Sequence, residues 1–372
     1  MSADRAKSEQ FPELALTHAP YCTSHQSRPH VIILVLTCGM KTPIRLPLSA
    51  HNNFNFLRTT ASRRVSTISA RDDQTFFLPS GRVLGYAEYG CQTGYPLMFF
   101  HGFPSSRLEG RGLDHIARSR HLRIIAPDRP GFGLSTFQPH RRITDWPFDV
   151  QALAHHLRLS RFAILGGSGG GPYALACAHM LPREMLSAVG VMAGAGPWQA
   201  GTQDVPMLSR ATYLAAKYWP TGFRGLTDVL VGTLRRGLAT RPATRWIDNW
   251  LNKVKREHEG VSTTEERRKR VLRIAFEGFA QGAEGFVSEV QLLTQDWGFR
   301  FEDVGYDKIQ LWHGTRDKNA PVRMARYMAE RLPHSVLHEF EGETHFTLFR
   351  HLEKILSDLV PEAKSPDCSI KA

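Results

Sequence analysis

One serine ringed by glycine, Gly166-Gly167-Ser168-Gly169-Gly170, constrains this chain more than any other segment. It lies between an apolar run, Phe162 to Leu165, and a stretch with apolar residues at helical spacing, Tyr173 to Leu181. A chain that passes from strand to helix in so few residues brings backbone against backbone, and only residues nearly free of side chain fit there. The turn holds the serine Oγ out of the sheet, at the positive end of the following helix. The spacing Gly-x-Ser-x-Gly is weak by itself; the strand before it and the helix after it make it informative.

The alternation of strand and helix continues on both sides. Thr75 to Pro79 and Arg82 to Ala87 flank Ser80-Gly81, a hairpin signal. Short apolar runs then recur at Leu97 to Phe100, Leu122 to Ala126, Phe162 to Leu165, Ala188 to Met192, Ile309 to Trp312 and Val336 to Phe340. Runs of this length suit strands buried on both faces, as in parallel sheets. Helical patterns such as Val150 to Leu157 separate most of them, so the predicted fold class is α/β, a mostly parallel sheet flanked by helices. The alternation stops between Pro197 and Phe301. That stretch has no strand pattern and many bulky residues, among them Tyr218, Trp219, Trp246 and Phe286. It predicts a helical insert whose aromatics mostly form its own core. The expected organisation is a basic leader over 1–71, a first core segment over 72–196, a helical cap over 197–301 and a second core segment over 302–372.

Charge separates the leader from the rest. The chain has 372 residues, 42% hydrophobic and 22% charged, with a net charge of +12. That is enough apolar residue for a sizeable core. Residues 1–71 hold nine Lys or Arg against three acids, a net of +6. No acid occurs between Glu13 and Asp72, and Arg, Ser and Thr recur from Met40 to Ser66. This is the composition of a mitochondrial transit peptide, here starting internally at Met40. The alternative is a tail without an address and a cytoplasmic location. The longest strongly apolar run, Val31 to Leu36, is far short of the roughly 20 residues of a membrane span, so no transmembrane segment is expected. Five cysteines without a Cys-x-x-Cys pair predict neither a disulfide framework nor a zinc ribbon. The one dense basic run outside the leader, Arg267-Arg268-Lys269-Arg270, follows Glu265-Glu266 and reads as a solvated helix face. No nucleic-acid partner is expected.

A serine hydroxyl needs a base, and the base needs an orienting acid, here in the chain order Ser, Asp, His. Among seventeen histidines, His345 follows the last predicted strand, in Gly342-Glu343-Thr344-His345-Phe346. Asp317 ends His313-Gly314-Thr315-Arg316-Asp317, after the strand at Ile309 to Trp312. Both lie in loops at carboxyl ends of strands, the edge at which open α/β sheets place their sites. Glu343 competes for the acid position, but two residues from His345 it has little room to reach around. An oxyanion also needs donors. His101-Gly102-Phe103-Pro104 follows the strand at Leu97 to Phe100, and Pro104 has no N–H. Phe103 is therefore the expected donor from this loop and Gly169 the second. Asp128, Arg129 and Ser135, in the tight loop that starts at Asp128, are expected to serve hydrogen bonding rather than chemistry. His155, His156 and His313 have no metal-ligand spacing, and no metal site is expected.

From about Thr75 to Val360 the chain resembles the α/β-hydrolase superfamily with a helical cap. The resemblance rests on His101-Gly102, on Asp128-Arg129-Pro130-Gly131-Phe132-Gly133, on the pentapeptide around Ser168, and on Asp317 and His345. It implies an eight-stranded, largely parallel sheet with the cap above the site. Relatives that open epoxides or remove halides use an aspartate nucleophile, which Ser168 argues against. Prolyl iminopeptidases usually carry a bulky residue after the serine, where this chain has Gly169. The reading is a cofactor-independent serine hydrolase acting on a small or medium apolar ester, thioester or amide. An acyltransferase on the same scaffold and a low-turnover ligand-binding receptor are the alternatives.

Overall fold

The apolar runs pair into one sheet. A computed structural model describes residues 71–253 and 263–361, all within one compact unit. The leader expected over 1–71, with its Met40 start and its address, lies outside the described residues apart from Arg71. Strands β1 (Gln74–Phe77) and β2 (Val83–Gly90) form the hairpin, with Gly81 at φ +81° in its turn. β3 (Tyr95–Phe100), α1 (Asp114–Ser119), β4 (Leu122–Pro127), α2 (Trp146–His156), β5 (Phe162–Gly167), α3 (Gly171–Met180) and β6 (Leu186–Met192) follow. Five helices then intervene: α4 (Met207–Tyr218), α5 (Pro220–Leu238), α6 (Arg241–Lys253), α7 (Thr264–Phe276) and α8 (Glu284–Thr294). β7 (Ile309–Gly314), α9 (Val322–Arg331), β8 (Ser335–Phe340) and α10 (Leu352–Leu359) complete the described chain.

The sheet order is β1-β2-β4-β3-β5-β6-β7-β8, parallel from β4 to β8 and antiparallel across β1, β2 and β4. Successive side chains point to opposite faces. Met98 and Phe100 join the layer that holds Tyr173 and Met328, while Leu97 and Phe99 join the layer that holds Trp312 and Ile355. All four are fully buried, which is why β3 reads as an unbroken apolar run rather than an alternating one. Each such side chain contributes about 1.5–3 kcal/mol on leaving water. β8 differs from its reading as a doubly buried strand. It is the sheet edge, and Val336 is exposed.

The order also decides where a site can form. β3 continues to β4 on one side, and β5 continues to β6 on the other. The loops leaving β3 and β5 therefore diverge, and a crevice opens between the carboxyl ends of these two neighbours.

The helical stretch departs from expectation in two ways. Thr263 and Glu266 close a reciprocal capping box at the start of α7, but the basic run behind it is not a freely solvated face. Arg268 lies against Asp248, Arg267 donates to Asn252 Oδ1 at 3.0 Å, and both are half-buried. The aromatics divide as well. Phe223, Phe279 and Phe286 pack together, whereas Tyr218, Trp219 and Trp246 are exposed. Helical spacing alone does not say which face of an insert meets the core.

Candidate active site

The turn after β5 is built from close approaches. A Cβ on Gly166 would stand 2.5 Å from the Gly170 carbonyl oxygen, and one on Gly170 would press into the carbonyl oxygen of Phe100. Gly167 is different, with Phe99 ring atoms at 3.4 Å, an ordinary contact. Ser168 takes φ +49°, a left-handed backbone conformation that costs a serine energy and that the surrounding glycines hold in place. The serine is half-buried, so its Oγ remains reachable.

Two side chains from distant parts of the chain meet it. His345 Nε2 lies 3.0 Å from Ser168 Oγ, and His345 Nδ1 lies 2.7 Å from Asp317 Oδ2. The other Asp317 oxygen accepts the N–H groups of Asn319 at 2.8 Å and Ala320 at 2.9 Å, which fixes the carboxylate. With Nδ1–H donating to Asp317, Nε2 is left as an acceptor for the serine proton. Glu343, the competing acid, turns away to His351 at 3.0 Å.

Across the crevice the loop after β3 closes in. A Cβ on Gly169 would stand 2.7 Å from Phe103 Cβ and 3.2 Å from the Phe103 amide nitrogen. Gly102 donates its N–H to Glu109 Oε2 at 2.9 Å, so that amide is committed elsewhere and Phe103 is the next along the loop. Burial raises the Glu109 carboxyl above its usual range. Phe103 stacks on Phe286 of α8 with ring centres 4.9 Å apart, and Leu293 of α8 comes within 3.5 Å of the same Gly169 position.

Two buried arginines tie this loop to the helices. Arg129 donates Nε to Glu289 of α8 at 2.7 Å, Nη2 to the Gly102 carbonyl at 3.1 Å and Nη1 to the His101 carbonyl. Glu289 also accepts from Tyr173 Oη at 2.8 Å and from Arg141. Burial pushes the Glu289 carboxyl up, but Arg129 and Arg141 outweigh it and hold it below its usual range. Arg107 bridges Asp128 at 2.8 Å to Glu277, beside α7, at 2.7 Å. Asp128 and Arg129 are thus hydrogen-bonding residues. Ser135 acts likewise, donating to the Asp128 carbonyl at 2.7 Å. His101 and His313 are buried, and burial lowers both pKa values, His101 well below the usual histidine value. Each ring is therefore neutral at pH 7, His101 accepting the Arg129 N–H and His313 lying 2.7 Å from the Ala320 carbonyl.

Glu109, Arg107, Arg141 and Glu289 escaped sequence reasoning. The available signal for Glu289 was an acid on the apolar side of a helix, between Val287, Val290 and Leu293. No group of three His, Cys, Asp or Glu suited to a metal ion occurs among the described residues. No helix among them is long and apolar enough to cross a membrane.

Residues 95–352 match the alpha/beta hydrolase fold family. The chain is similar to a dihydrolipoyllysine-residue acetyltransferase component of an acetoin cleaving system from Pseudomonas putida, 34% identical over 121 residues, 32% of each chain. It is also similar to a probable proline iminopeptidase from Leptolyngbya boryana, 32% identical over 28% of this chain and 33% of that one. Lipase 3 of Moraxella sp. is 33% identical over 33% of this chain and 39% of the lipase. The matches thus span a third or a little more of these relatives' lengths. Among solved structures, a carboxylesterase from Nitrososphaera gargenis aligns with TM-score 0.54 at 15% identity, over 78% of this chain and 98% of that one. An esterase from Exiguobacterium antarcticum aligns with TM-score 0.52 at 18% identity, over 79% and 100%. Both likenesses are of fold.

Three outcomes follow from this geometry. Gly170→Ala drives a methyl into a backbone carbonyl and lowers the urea unfolding free energy by about 3 kcal/mol or abolishes soluble protein, while Gly167→Ala stays within about 1 kcal/mol. Glu289→Gln leaves two buried guanidinium groups without their counter-ion and costs about 3–5 kcal/mol in the same measurement. Below about pH 6.5 the unfolded chain binds protons at His101 and His313 that the folded chain refuses, so stability falls with acidification by up to about 1.4 kcal/mol per pH unit for each histidine. Urea titrations between about pH 7 and pH 5 should show a shallower pH slope in His313→Asn than in wild type, by at most about one proton.

Proposed function

We propose that this chain, which belongs to the alpha/beta hydrolase fold family, is a hydrolase that cleaves a small or medium apolar ester, thioester or amide through an acyl-enzyme on Ser168. The observation that carries this reading is the hydrogen-bonded chain from Ser168 Oγ through His345 to Asp317, with spacings of 3.0 and 2.7 Å. Ser168 gives its proton to His345 Nε2 as Oγ attacks the carbonyl carbon. The Phe103 and Gly169 N–H groups receive the oxyanion. The leaving group departs with the proton from His345, and the acyl group stays on Oγ. His345 then takes a proton from water, the hydroxide attacks the acyl carbon, and Ser168 recovers its proton as the acid leaves. Asp317 keeps the imidazole oriented and stabilises its charged form.

The surroundings favour an apolar acyl group. Residues 197–301 act as a cap, and α8 lays Phe286 and Leu293 beside Phe103 and Gly169. Among the described residues, the two cap acids turned inward, Glu277 and Glu289, are neutralised by Arg107, Arg129 and Arg141. Neither is left to hold the free amine of an aminopeptidase substrate.

Fluorophosphonate labelling read by intact mass tests this reading. Wild type takes one adduct and Ser168→Ala takes none, and turnover of a short p-nitrophenyl ester falls by about 10⁴-fold or more in the variant. Folded wild type that stays unlabelled and turns over no ester overturns the proposal in favour of a ligand-binding receptor.

A further inference from the structure

Large apolar side chains are exposed singly on most proteins, and a cluster of them marks a contact surface. Of thirteen such side chains exposed among the described residues, nine fall between Met207 and Trp246. Leu214 and Tyr218 share one face of α4, being four residues apart. Leu226, Val229 and Leu230 share one face of α5, and Trp219 sits at the joint between the helices. These six side chains are 50–73% exposed.

The opposite faces of the same helices are already occupied. Ala216 of α4 is buried against Val287 and Val290 of α8, and its carbonyl accepts Gln291 Nε2 at 2.7 Å. On α5, Thr227 is buried, Phe223 packs against Phe286, and Asp228 accepts the Ala283 N–H at 2.8 Å. The inner faces hold α4 and α5 on α8, and among the described residues the outer stripes are left exposed.

Charge decides what can cover them. Between Met207 and Lys253 there are eight Lys or Arg and two acids, a net of +6. Both acids are engaged, Asp228 with Ala283 and Asp248 with Arg268. Arg236, Arg241 and Arg245 are exposed and have no acidic partner among the described residues. Although Arg224 is paired with Glu284 at 3.1 Å, the segment stays net positive, so a second copy docked on this face would set like charge against like, and the leader carries the same sign. An anionic surface with an apolar interior satisfies both the cations and the stripes.

We propose that the outer face of α4 and α5 docks on an anionic phospholipid bilayer, with Leu214, Tyr218, Leu226, Val229 and Leu230 in the interfacial layer and the flanking arginines on the headgroups. Tyr218 and Trp219 have the amphipathic rings that favour this depth. The docked face is the outer side of the helices that pack on α8, whose Phe286 lies beside the candidate site. An apolar substrate would then reach the protein from the phase in which it dissolves.

Vesicle flotation of the full chain tests this. Phosphatidylcholine vesicles with about 30% phosphatidylglycerol should carry roughly tenfold more protein than pure phosphatidylcholine, and about 0.5 M salt should remove most of the difference. Leu226→Asp with Leu230→Asp, and separately Arg236→Glu with Arg241→Glu, should each abolish flotation while the urea midpoint and turnover of a water-soluble ester stay at wild-type values. Wild type that ignores the anionic vesicles at low salt overturns the proposal. Flotation unchanged in both variants also overturns it, since binding then lies elsewhere, the basic leader included. A wild-type dimer by light scattering that Leu226→Asp with Leu230→Asp converts to monomer, without vesicle binding, assigns the face to a second copy instead. Flotation does not depend on catalysis, so failure here leaves the acyl-enzyme reading untouched.

Discussion

The turn after β5 lies so close to the carboxyl end of β3 and the loop behind it that no Cβ fits at Gly169 or Gly170, and the rest of the site depends on that approach. Gly170 rests on the carbonyl of Phe100, Gly166 on the carbonyl of Gly170, and Gly169 on Phe103. Because the backbones touch, Ser168 is forced into a left-handed conformation at the tip of the turn. For the same reason the Phe103 amide nitrogen lies against Gly169, 3.2 Å from where a Cβ would stand. The contact is backbone against backbone, so no side-chain rearrangement can relieve a bulkier residue.

A second constraint fixes the helices above. Arg129 carries three hydrogen bonds, two to carbonyls of the loop that bears Phe103 and one to Glu289 of α8. Arg107 does the same between Asp128 and Glu277. Buried ion pairs stabilise weakly in net terms, since desolvation offsets most of the attraction, but a missing partner is expensive. Their effect here is therefore one of placement. Helix α8, which carries Phe286 and Leu293, cannot drift without leaving a buried charge unpaired. The inner faces of α4 and α5 pack on α8, while Leu214, Tyr218, Leu226, Val229 and Leu230 on their other sides are exposed.

Much of the fold was legible because the inner strands of the sheet are buried on both sides. Such strands appear as short apolar runs, and all eight were readable, including β1 and β2 from Ser80-Gly81 between them. β8 misled as to burial, since its apolar run sits at an edge. Ser168 was legible from its glycines, and Asp317 and His345 from their places after strands. Their meeting within 3.0 Å is set by strand order. Glu109, Arg141 and Glu289 were not legible, since a charge in a sequence reads as solvent-facing by default, and for Arg141 and Glu289 the partners also lie far along the chain. The exposure of Tyr218, Trp219 and Trp246 was missed for the converse reason, that a large aromatic reads as core.

What the sequence determined by itself is local: strand, tight turn and helix around Ser168, the absence of an N–H at Pro104, the alternation that makes an α/β sheet, and a strongly basic chain. These follow from chain geometry and side-chain size over a few residues. Only the tertiary structure decided which acid serves His345, which amide after β3 remains available, where the buried arginines find their carboxylates, and which helix faces are left bare. Most of these depend on distances between residues far apart in the chain, and such distances exist only once the sheet order has brought the strand ends together.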